Sequence, residues 1–367
     1  LMDYQERIDH LQRRLRRAGI DALLVARPEN RRYLSGYDGG DHGIDESSGV
    51  LLPPARGPLR LLTDFRFQLQ AQREVPWAEV ELYPKGLIAL LATLLPQLGV
   101  RRLAFESRYT LHATAARMEK TLGPKGVELV AARPWLEEMR TVKSEEEIDL
   151  IRRAVHLNEE VFQEVYGAIG GFSCEIEVSL AVEASMRRHG AAGPSFATIV
   201  ASGDNAALPH AVPGASPLLP GRPLTIDMGL VLDGYCSDMT RTFVIGQADE
   251  RYLQLHRVVR QAMLAGMAAI RPGVPCREVD RAARRVIAEA GYGDCFGHSL
   301  GHGVGLAVHE EPRLSSRNRR VLKAGMVVTV EPGIYIPGWG GIRLENMVVV
   351  RPDGCENLNR DTTWLDL

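Results

Sequence analysis

Two aspartates in an apolar, strand-like segment give the first indication of chemistry. Asp227 and Asp238 lie in the run TIDMGLVLDGYCSDMTRTFVIG, residues 225–246. The dipeptide Asp-Gly at 233–234 predicts a two-residue hairpin between them. Pairing across that turn sets Asp238 opposite Gly229, so the two aspartates become diagonal neighbours on one face. Two unpaired carboxylates there would repel each other and lose hydration, and a cation between them would remove that cost.

Two glutamates lie further along the chain in similar surroundings. Glu331 follows the apolar run VVTV at 327–330, and Glu345 lies in GIRLENMVVV at 341–350, which we predict as a further strand. A carboxylate in a buried strand is rare unless it is paired or binds a metal ion. Arg343 is two residues before Glu345 and therefore on the same face, where it can pair with a carboxylate.

Histidines complete a pattern that is typical of a metal site. Four of the ten lie in the same half of the chain as these carboxylates: His210, His298, His302 and His309. A neutral imidazole among carboxylates suits manganese, cobalt or zinc. Two Asp, two Glu and one His are too many ligands for one catalytic ion but suit two ions that share carboxylates. Any one of these residues alone is better explained as a turn cap, an ion-pair partner or a structural loop residue, so the prediction depends on their combination.

The elements that must position these residues divide the chain in two. Over residues 1–133, helical spacing and short apolar runs predict alternating helices and strands, which indicates a small α/β domain. The predicted helices are one through Ile8, Leu11 and Leu15, a turn at 29–36 and a helix at 85–98. The predicted strands are 20–26, 49–53, 59–63 and 101–107.

Residues 134–367 are predicted to form a second domain of the α+β class. Ser144 and Glu147 form a capping-box pattern that opens a long helix. The predicted helices are 144–169, 175–189 and 248–270, and the predicted hairpin regions are 195–245 and 321–350. Helices followed by antiparallel hairpins, rather than strict strand–helix alternation, are typical of this class.

The composition excludes several classes of protein. The 367 residues include 44 Lys and Arg against 46 Asp and Glu, a net charge of −2 that excludes a general nucleic-acid or basic membrane-surface binder. Five cysteines without a CxxC motif argue against a disulfide framework and a thiolate zinc site. The longest mostly apolar run, 87–98, is too short to span a bilayer. We therefore expect a soluble, cytoplasmic protein without membrane or nucleic-acid partners.

The sequence that carries these residues resembles the creatinase/prolidase/methionine-aminopeptidase family of "pita-bread" metallopeptidases. The matching segments are DMG (227–229), SDMTRT (237–242), GHSLGHGVGLAVHEEP (297–312), GMVVTVEPGIY (325–335), GIRLEN (341–346), MRTVKSEEEIDLIRRA (139–154) and IDALLVARPENRRYLSG (20–36). The resemblance covers nearly the whole chain. It implies an α+β pita-bread catalytic domain preceded by a smaller, creatinase-like α/β domain, in a homodimer.

The resemblance also implies roles for individual residues. The candidate ligands of two divalent ions, with manganese expected and cobalt or zinc as alternatives, are Asp227, Asp238, His302, Glu331 and Glu345. Glu331 would in addition act as acid and base for the proton of the metal-bridging water. His210 and His309 match two substrate-binding, catalytic histidines that do not ligate metal, and Arg343 matches an arginine that orients the adjacent ligand. The family variant GIRLED is GIRLEN here, with Asn346.

The same resemblance implies a peptidase that cleaves Xaa-Pro bonds and is most similar to a dipeptidase (prolidase). An aminopeptidase P is the alternative, and a non-catalytic pita-bread binding protein is the third possibility. A dipeptidase needs a cation for the product-side carboxylate. Arg317 is the favoured candidate, with Arg313, Arg319 and Arg320 left open. The loop 35–49 is predicted to close the active site of the dimer partner and to bind the substrate amine through Asp38 or Asp41.

Overall fold

The computed structural model describes residues 2–41 and 43–363. The chain forms two compact units, Leu1–Arg140 and Thr141–Leu367. The boundary expected from the sequence, between residues 133 and 134, stays a prediction; the short helix Trp135–Arg140 belongs to the first of these units.

The first unit alternates helices with short strands. Its helices are α1 (Tyr4–Arg17), α2 (Pro28–Ser35), α3 (Gln68–Glu74), α4 (Leu87–Gln97), α5 (His112–Leu122) and α6 (Trp135–Arg140). Its strands are β1 (Ala22–Leu24), β2 (Val50–Leu52), β3 (Arg60–Thr63), β4 (Glu79–Leu82), β5 (Arg102–Phe105) and β6 (Glu128–Ala131). Strands β1, β5 and β6 form a parallel sheet, and β2, β3 and β4 form a mixed one. This is the α/β arrangement expected from the sequence.

Apolar spacing explains how α1 packs in this unit. Ile8, Leu11 and Leu15 recur on one face of the helix and are buried, as predicted. Asp3 caps the first turn by accepting a hydrogen bond from the amide of Glu6. Among the described residues no helix, α4 included, is both long and apolar enough to cross a membrane.

The second unit combines two helix pairs with antiparallel sheets. Its helices are α7 (Glu145–Gly167), α8 (Glu175–Arg188), α9 (Glu250–Ala269) and α10 (Cys276–Glu289). Its strands are β7 (Gly193–Pro194), β8 (Ile199–Ser202), β9 (Pro223–Met228), β10 (Leu230–Leu232), β11 (Tyr235–Cys236), β12 (Met239–Val244), β13 (Gly301–Gly303), β14 (Glu310–Leu314), β15 (Val327–Val330), β16 (Gly333–Ile336), β17 (Gly340–Arg343), β18 (Asn346–Arg351) and β19 (Gly354–Asn357). The expected α+β class is confirmed.

Each helix pair shares an apolar core with one sheet. Helices α7 and α8 pack with the sheet of order β12-β9-β8, around side chains such as Phe162 and Ile226. Helices α9 and α10 pack with the sheet of order β14-β13-β15-β18-β19, around side chains such as Val259 and Val328. The predicted capping box of Ser144 and Glu147 opens α7.

The hairpin that carries the two aspartates has the predicted turn and register. Asp233 and Gly234 both have positive φ, 50° and 82°, as a type I′ turn requires. Val231 pairs with Cys236, and the same register continues into β9 and β12, where Thr240 pairs with Asp227. Asp238 directly precedes β12, so the two aspartates are diagonal neighbours, as the sequence predicted.

Candidate metal centre

The strands of the second unit bring the five candidate ligands to one cleft. Asp227 lies in β9, Asp238 immediately before β12, His302 in β13, Glu331 immediately after β15 and Glu345 between β17 and β18. Glu345 was expected inside a strand, and that expectation is wrong, because β17 ends at Arg343 and β18 begins at Asn346. All five side chains line a cleft of about 660 Å³.

Pairing between strands brings His302, Glu331 and Glu345 together, and Asp238 approaches them from the other sheet. Strand β15 pairs with β13 on one side and with β18 on the other, so His302 and Glu331 become neighbours. Ligand atoms of Asp238, His302 and Glu345 all lie within 4.8 Å of one another, and the three residues are buried. The Nε2 atom of His302 is 3.5 Å from Asp238 Oδ2 and 3.4 Å from Glu331 Oε1.

Two carboxylates each hold one oxygen free for a cation. Asp227 Oδ2 accepts a hydrogen bond of 2.7 Å from Arg343 Nη2, and Glu345 Oε2 accepts one of 2.7 Å from Thr240 Oγ1. Their second oxygens, Asp227 Oδ1 and Glu345 Oε1, are buried and have no hydrogen-bond partner within residues 2–41 and 43–363. A buried carboxylate oxygen without a donor is costly, so these atoms fit a site in which a metal ion completes their contacts.

The orientation of His302 suits a metal ligand. Its Nδ1 atom is 3.1 Å from the backbone carbonyl of Gly303, which places the ring proton on Nδ1. The unprotonated Nε2 then faces the carboxylates. Burial and the neighbouring His309 lower the pKa of His302 to about 4, which keeps the imidazole neutral. This arrangement, with a carbonyl holding the far nitrogen, is common for metal-binding histidines.

The carboxylates raise one another's pKa. Burial first, and then the charges of Glu345, Asp227 and Glu331, raise the pKa of Asp238 well above its ordinary value. Burial first, and then the charges of Glu331 and Asp227, raise the pKa of Glu345. Burial raises the pKa of Glu331 to about 8, against the opposing effect of Arg343. Divalent ions would favour the ionised forms and remove the repulsion, so the donor set fits two such ions.

A chain of hydrogen bonds fixes the orientation of Asp227. His298 Nδ1 is 2.8 Å from the Ser299 carbonyl, so its Nε2 accepts the proton of the Tyr335 hydroxyl, at 2.8 Å. Arg343 Nη1 donates to the same hydroxyl oxygen at 2.9 Å, and Arg343 also pairs with Asp227. The predicted pairing of Arg343 with a carboxylate is thus present. A role for Tyr335 was not predicted, although the residue lies in the motif VEPGIY, and His298 was not predicted to lie in the site.

Arg241 and Thr240 join the strands that carry different ligands. The backbone amide of Glu345 donates to the carbonyl of Thr240, and buried Arg241 donates to the carbonyl of Glu345 at 2.6 Å. The guanidinium of Arg241 also forms a buried ion pair with Asp361. Glu345 is therefore fixed to the hairpin of Asp227 and Asp238 through the backbone as well as through its side chain.

The two predicted substrate-binding histidines, and Arg313 and Arg317 among the candidate carboxylate ligands, are exposed, and they differ in whether they line the cleft. His210, His309 and Arg313 line the cleft. The His309 ring is 4.4 Å from that of His302, centroid to centroid, and burial followed by the charge of Arg313 lowers the pKa of His309. Arg317 is exposed on the turn after β14 and does not line this cleft in the described part of the chain.

Asp38 and Asp41 lie in the first unit, in differing surroundings. Both carboxylate oxygens of Asp41, which is 7% exposed, accept hydrogen bonds from buried Arg31. Arg31 also donates to the backbone carbonyls of Gly39 and Gly49 and thereby fixes the loop. The Asp38 side chain is 68% exposed and pairs with Arg32.

We predict that Glu345→Ala lowers the affinity for Mn²⁺ by more than about a hundredfold, since it removes a metal-facing oxygen and the partner of Thr240. Glu356→Ala, at a surface carboxylate paired with Arg152 and Arg351, is the matched control. Metal content after dialysis, measured by plasma mass spectrometry, checks this. Full occupancy in Glu345→Ala would contradict the assignment.

We predict that Mn²⁺ stabilises the protein more at about pH 8.5 than at about pH 6. Glu331 has a folded-state pKa of about 8 against an ordinary value of 4.5, so its contribution to the stability of the metal-free protein is full below pH 4.5 and is lost as the pH rises through 8. Bound ions hold the carboxylates ionised and reverse this trend. Thermal midpoints of metal-loaded and chelator-treated protein check this; a difference that shrinks with rising pH would contradict it.

Sequence comparison assigns both units. Residues 149–352 match Metallopeptidase family M24, and residues 7–142 match the Creatinase/Prolidase N-terminal domain. A Xaa-Pro dipeptidase from Pyrococcus horikoshii is 33% identical over 342 residues, which cover 93% of each chain.

Solved structures agree with this result. A Xaa-Pro dipeptidase from Bacillus anthracis superposes with a TM-score of 0.90, at 34% identity over 98% of each chain. An X-Pro aminopeptidase from Thermotoga maritima superposes with a TM-score of 0.86, at 35% identity over 95% of this chain and 98% of its own. The pita-bread fold and the creatinase-like first domain predicted by resemblance are confirmed, and the chain belongs to metallopeptidase family M24, as a metal-dependent peptidase.

Proposed function

We propose that this peptidase hydrolyses the Xaa-Pro bond of dipeptides with the help of two divalent ions, of which manganese is the expected one and cobalt and zinc are alternatives. The observation that carries the proposal is the set of four carboxylates and one histidine in one cleft, in which Asp227 Oδ1 and Glu345 Oε1 are buried without a hydrogen-bond partner among the described residues. The similarity to Xaa-Pro dipeptidases over nearly the full length supports the choice of substrate.

The five candidate ligands would hold the ions, whose chemistry is to lower the pKa of a water molecule and to stabilise negative charge on the substrate carbonyl. Glu331 is the residue suited to move a proton. Burial raises the pKa of Glu331 to about 8 when no ion is bound. Bound ions would favour the ionised form, which could accept a proton and return it to the leaving nitrogen.

His210 and His309 are proposed to contact the substrate from the mouth of the cleft. Both line the cleft, and the ring of His309 lies against that of the candidate ligand His302. Since the pKa of His309 is lowered, the imidazole is neutral at pH 7 and can donate a single hydrogen bond to a carbonyl oxygen that gains negative charge.

Arg313 is the cation that the cleft offers to a substrate carboxylate. Of the arginines in the cleft, Arg343 is already paired with Asp227, whereas Arg313 forms no ion pair with any described residue. Arg313 and Arg317 are both exposed, but Arg317, which was favoured from the sequence, does not line the cleft in the described part of the chain. We therefore propose Arg313 as the ligand of the carboxylate of the C-terminal proline.

A homodimer, in which loop 35–49 of one copy closes the cleft of the other, remains a proposal. The buried pair of Arg31 and Asp41 supports a loop of defined shape. Because both oxygens of Asp41 are used in that pair, Asp38 is the better candidate for the substrate amine, and we assign Asp41 to fixing the loop.

The alternative function is that of an aminopeptidase P, which the similarity to the X-Pro aminopeptidase supports. We expect the manganese-loaded enzyme to cleave a dipeptide such as Ala-Pro much faster than Ala-Pro-Ala, because the dipeptide alone places a carboxylate within reach of Arg313. Initial rates on both peptides check this. Comparable rates would favour the aminopeptidase, and absence of cleavage with full metal occupancy would favour a binding protein.

We predict that Arg313→Ala raises KM for the dipeptide roughly ten- to hundredfold with a smaller change in kcat, since a charge-assisted hydrogen bond to the substrate is lost. Arg317→Ala is the matched control and should leave both parameters near their original values. Steady-state kinetics on both variants check this. A large increase of KM in Arg317→Ala alone would restore Arg317 as the carboxylate ligand.

A further inference from the structure

Glu175 is a buried carboxylate that the proposed reaction does not use. It is the first residue of α8 and has no exposed surface. Its Oε1 accepts hydrogen bonds from the Ser202 amide at 2.8 Å and from Asn205 Nδ2 at 2.9 Å, and its Oε2 accepts one from the Gly214 amide at 3.2 Å. No Lys, Arg or His of the described residues lies within 4 Å of this carboxylate. Three N–H donors therefore balance its charge without a cation.

These donors lie at the two ends of one loop, residues 203–216, which carries His210. Ser202 directly precedes the loop, Asn205 lies in the 3₁₀ turn that opens it, and Gly214 is near its end. The backbone adds two links at the far end, from the amide of Glu175 to Ser216 and from the amide of Ile176 to Gly214. A single side chain thus bridges both stems of the loop.

A second contact fixes the opening turn of the same loop. In β17, a Cβ atom added to Gly340 would lie 2.7 Å from the carbonyl oxygen of Gly203, and one added to Gly341 would lie 2.1 Å from that of Ala206. Glycines are therefore required where this turn packs against the strand. Since β17 is followed closely by Glu345, the first residues of the loop pack next to the candidate metal centre.

Between these anchors the apolar burial of the loop is limited to two small side chains, Ala206 and Ala211, which pack with Ile199 and Ala201. Leu208 is 57% exposed and Val212 is 85% exposed, and His210 between them is exposed as well. The position of His210 at the cleft therefore depends on how firmly the stems are held. Glutamine could not take over the role of Glu175, because its amide nitrogen is a donor and would face an N–H donor on one side.

We propose that Glu175 is a positioning residue, which holds both stems of loop 203–216 and thereby places His210 at the metal cleft. This inference rests on the proposed function, in which His210 contacts the substrate.

We predict that Glu175→Gln lowers kcat/KM for the dipeptide roughly ten- to hundredfold at full metal occupancy, since misplacement of a contacting group by about 1 Å has an effect of this size. If Glu175 acts through His210, the double variant Glu175→Gln/His210→Ala should be no slower than His210→Ala alone. Glu177→Gln is the matched control, because Glu177 lies on the same helix and its carboxylate accepts a hydrogen bond from the Ser173 amide at the surface. The proposal would be overturned if the losses of kcat/KM in the two single variants multiplied in the double variant. It would also be overturned by loss of metal in Glu175→Gln or by full activity of His210→Ala.

Hydrogen exchange separates this inference from the proposed function. In Glu175→Gln, peptides that cover residues 202–216 should exchange faster, while peptides that cover 327–350 should be unchanged. If the wild-type enzyme fails to cleave Xaa-Pro dipeptides but the loop still loosens in the variant, the proposed function is wrong and the anchoring by Glu175 stands. Unchanged exchange at 202–216 would overturn the anchoring itself.

Discussion

Four carboxylates that share one buried site cannot all be ionised unless positive charge lies between them. Arg343 is the single cation that pairs directly with this group among the described residues, and it contacts only Asp227. Burial first, and then the charges of neighbouring carboxylates, raise the pKa values of Asp238, Glu331 and Glu345. The site is therefore costly without metal ions, and the rest of the second unit can be understood as the framework that holds these groups together.

That framework works by joining strands from two sheets rather than by packing alone. The hairpin of β9 and β12 brings two ligands, and the sheet that contains β13, β15 and β18 brings the others. Arg241 and Thr240 connect the two with hydrogen bonds to the backbone and side chain of Glu345. A shift of either sheet would break several bonds to buried groups at once, which is why the spacing of the ligands is well defined.

The sequence revealed the parts of the site that depend on local structure. A type I′ turn fixes the register of its hairpin, so the relation of Asp227 to Asp238 followed from the position of one Asp-Gly pair. The neighbourhood of His302 and Glu331 depends instead on long-range pairing of β13 with β15, and only the resemblance to a family indicated it.

Other features lacked a local signal. The hydrogen bonds of Tyr335 and Arg343, which lie in the hairpin of β16 and β17, join that hairpin to His298 and to Asp227, both distant in the chain. Helix α10, by contrast, carries a local signal that was not used, because Cys276, Val279, Ala283 and Ile287 recur at helical spacing on its buried face. Whether Arg313 or Arg317 lines the cleft depends on where β14 ends, and a boundary of that kind is poorly determined by sequence pattern.

The two cleft histidines that are not ligands depend on a different physical device from the metal ligands. The ligands lie in or directly beside strands, whereas His210 lies in the middle of loop 203–216 and His309 is the last residue of the connection between β13 and β14; both histidines are exposed. Glu175 bridges the stems of one loop, and Glu310, next to His309, forms a buried ion pair of 3.2 Å with Lys143 while accepting the amide of Ala307. Since leaving either acid without its donors would be costly, each loop is held in one arrangement. Hydrogen bonds and ion pairs to buried carboxylates thus fix the conformation of these loops, as apolar packing fixes the strands.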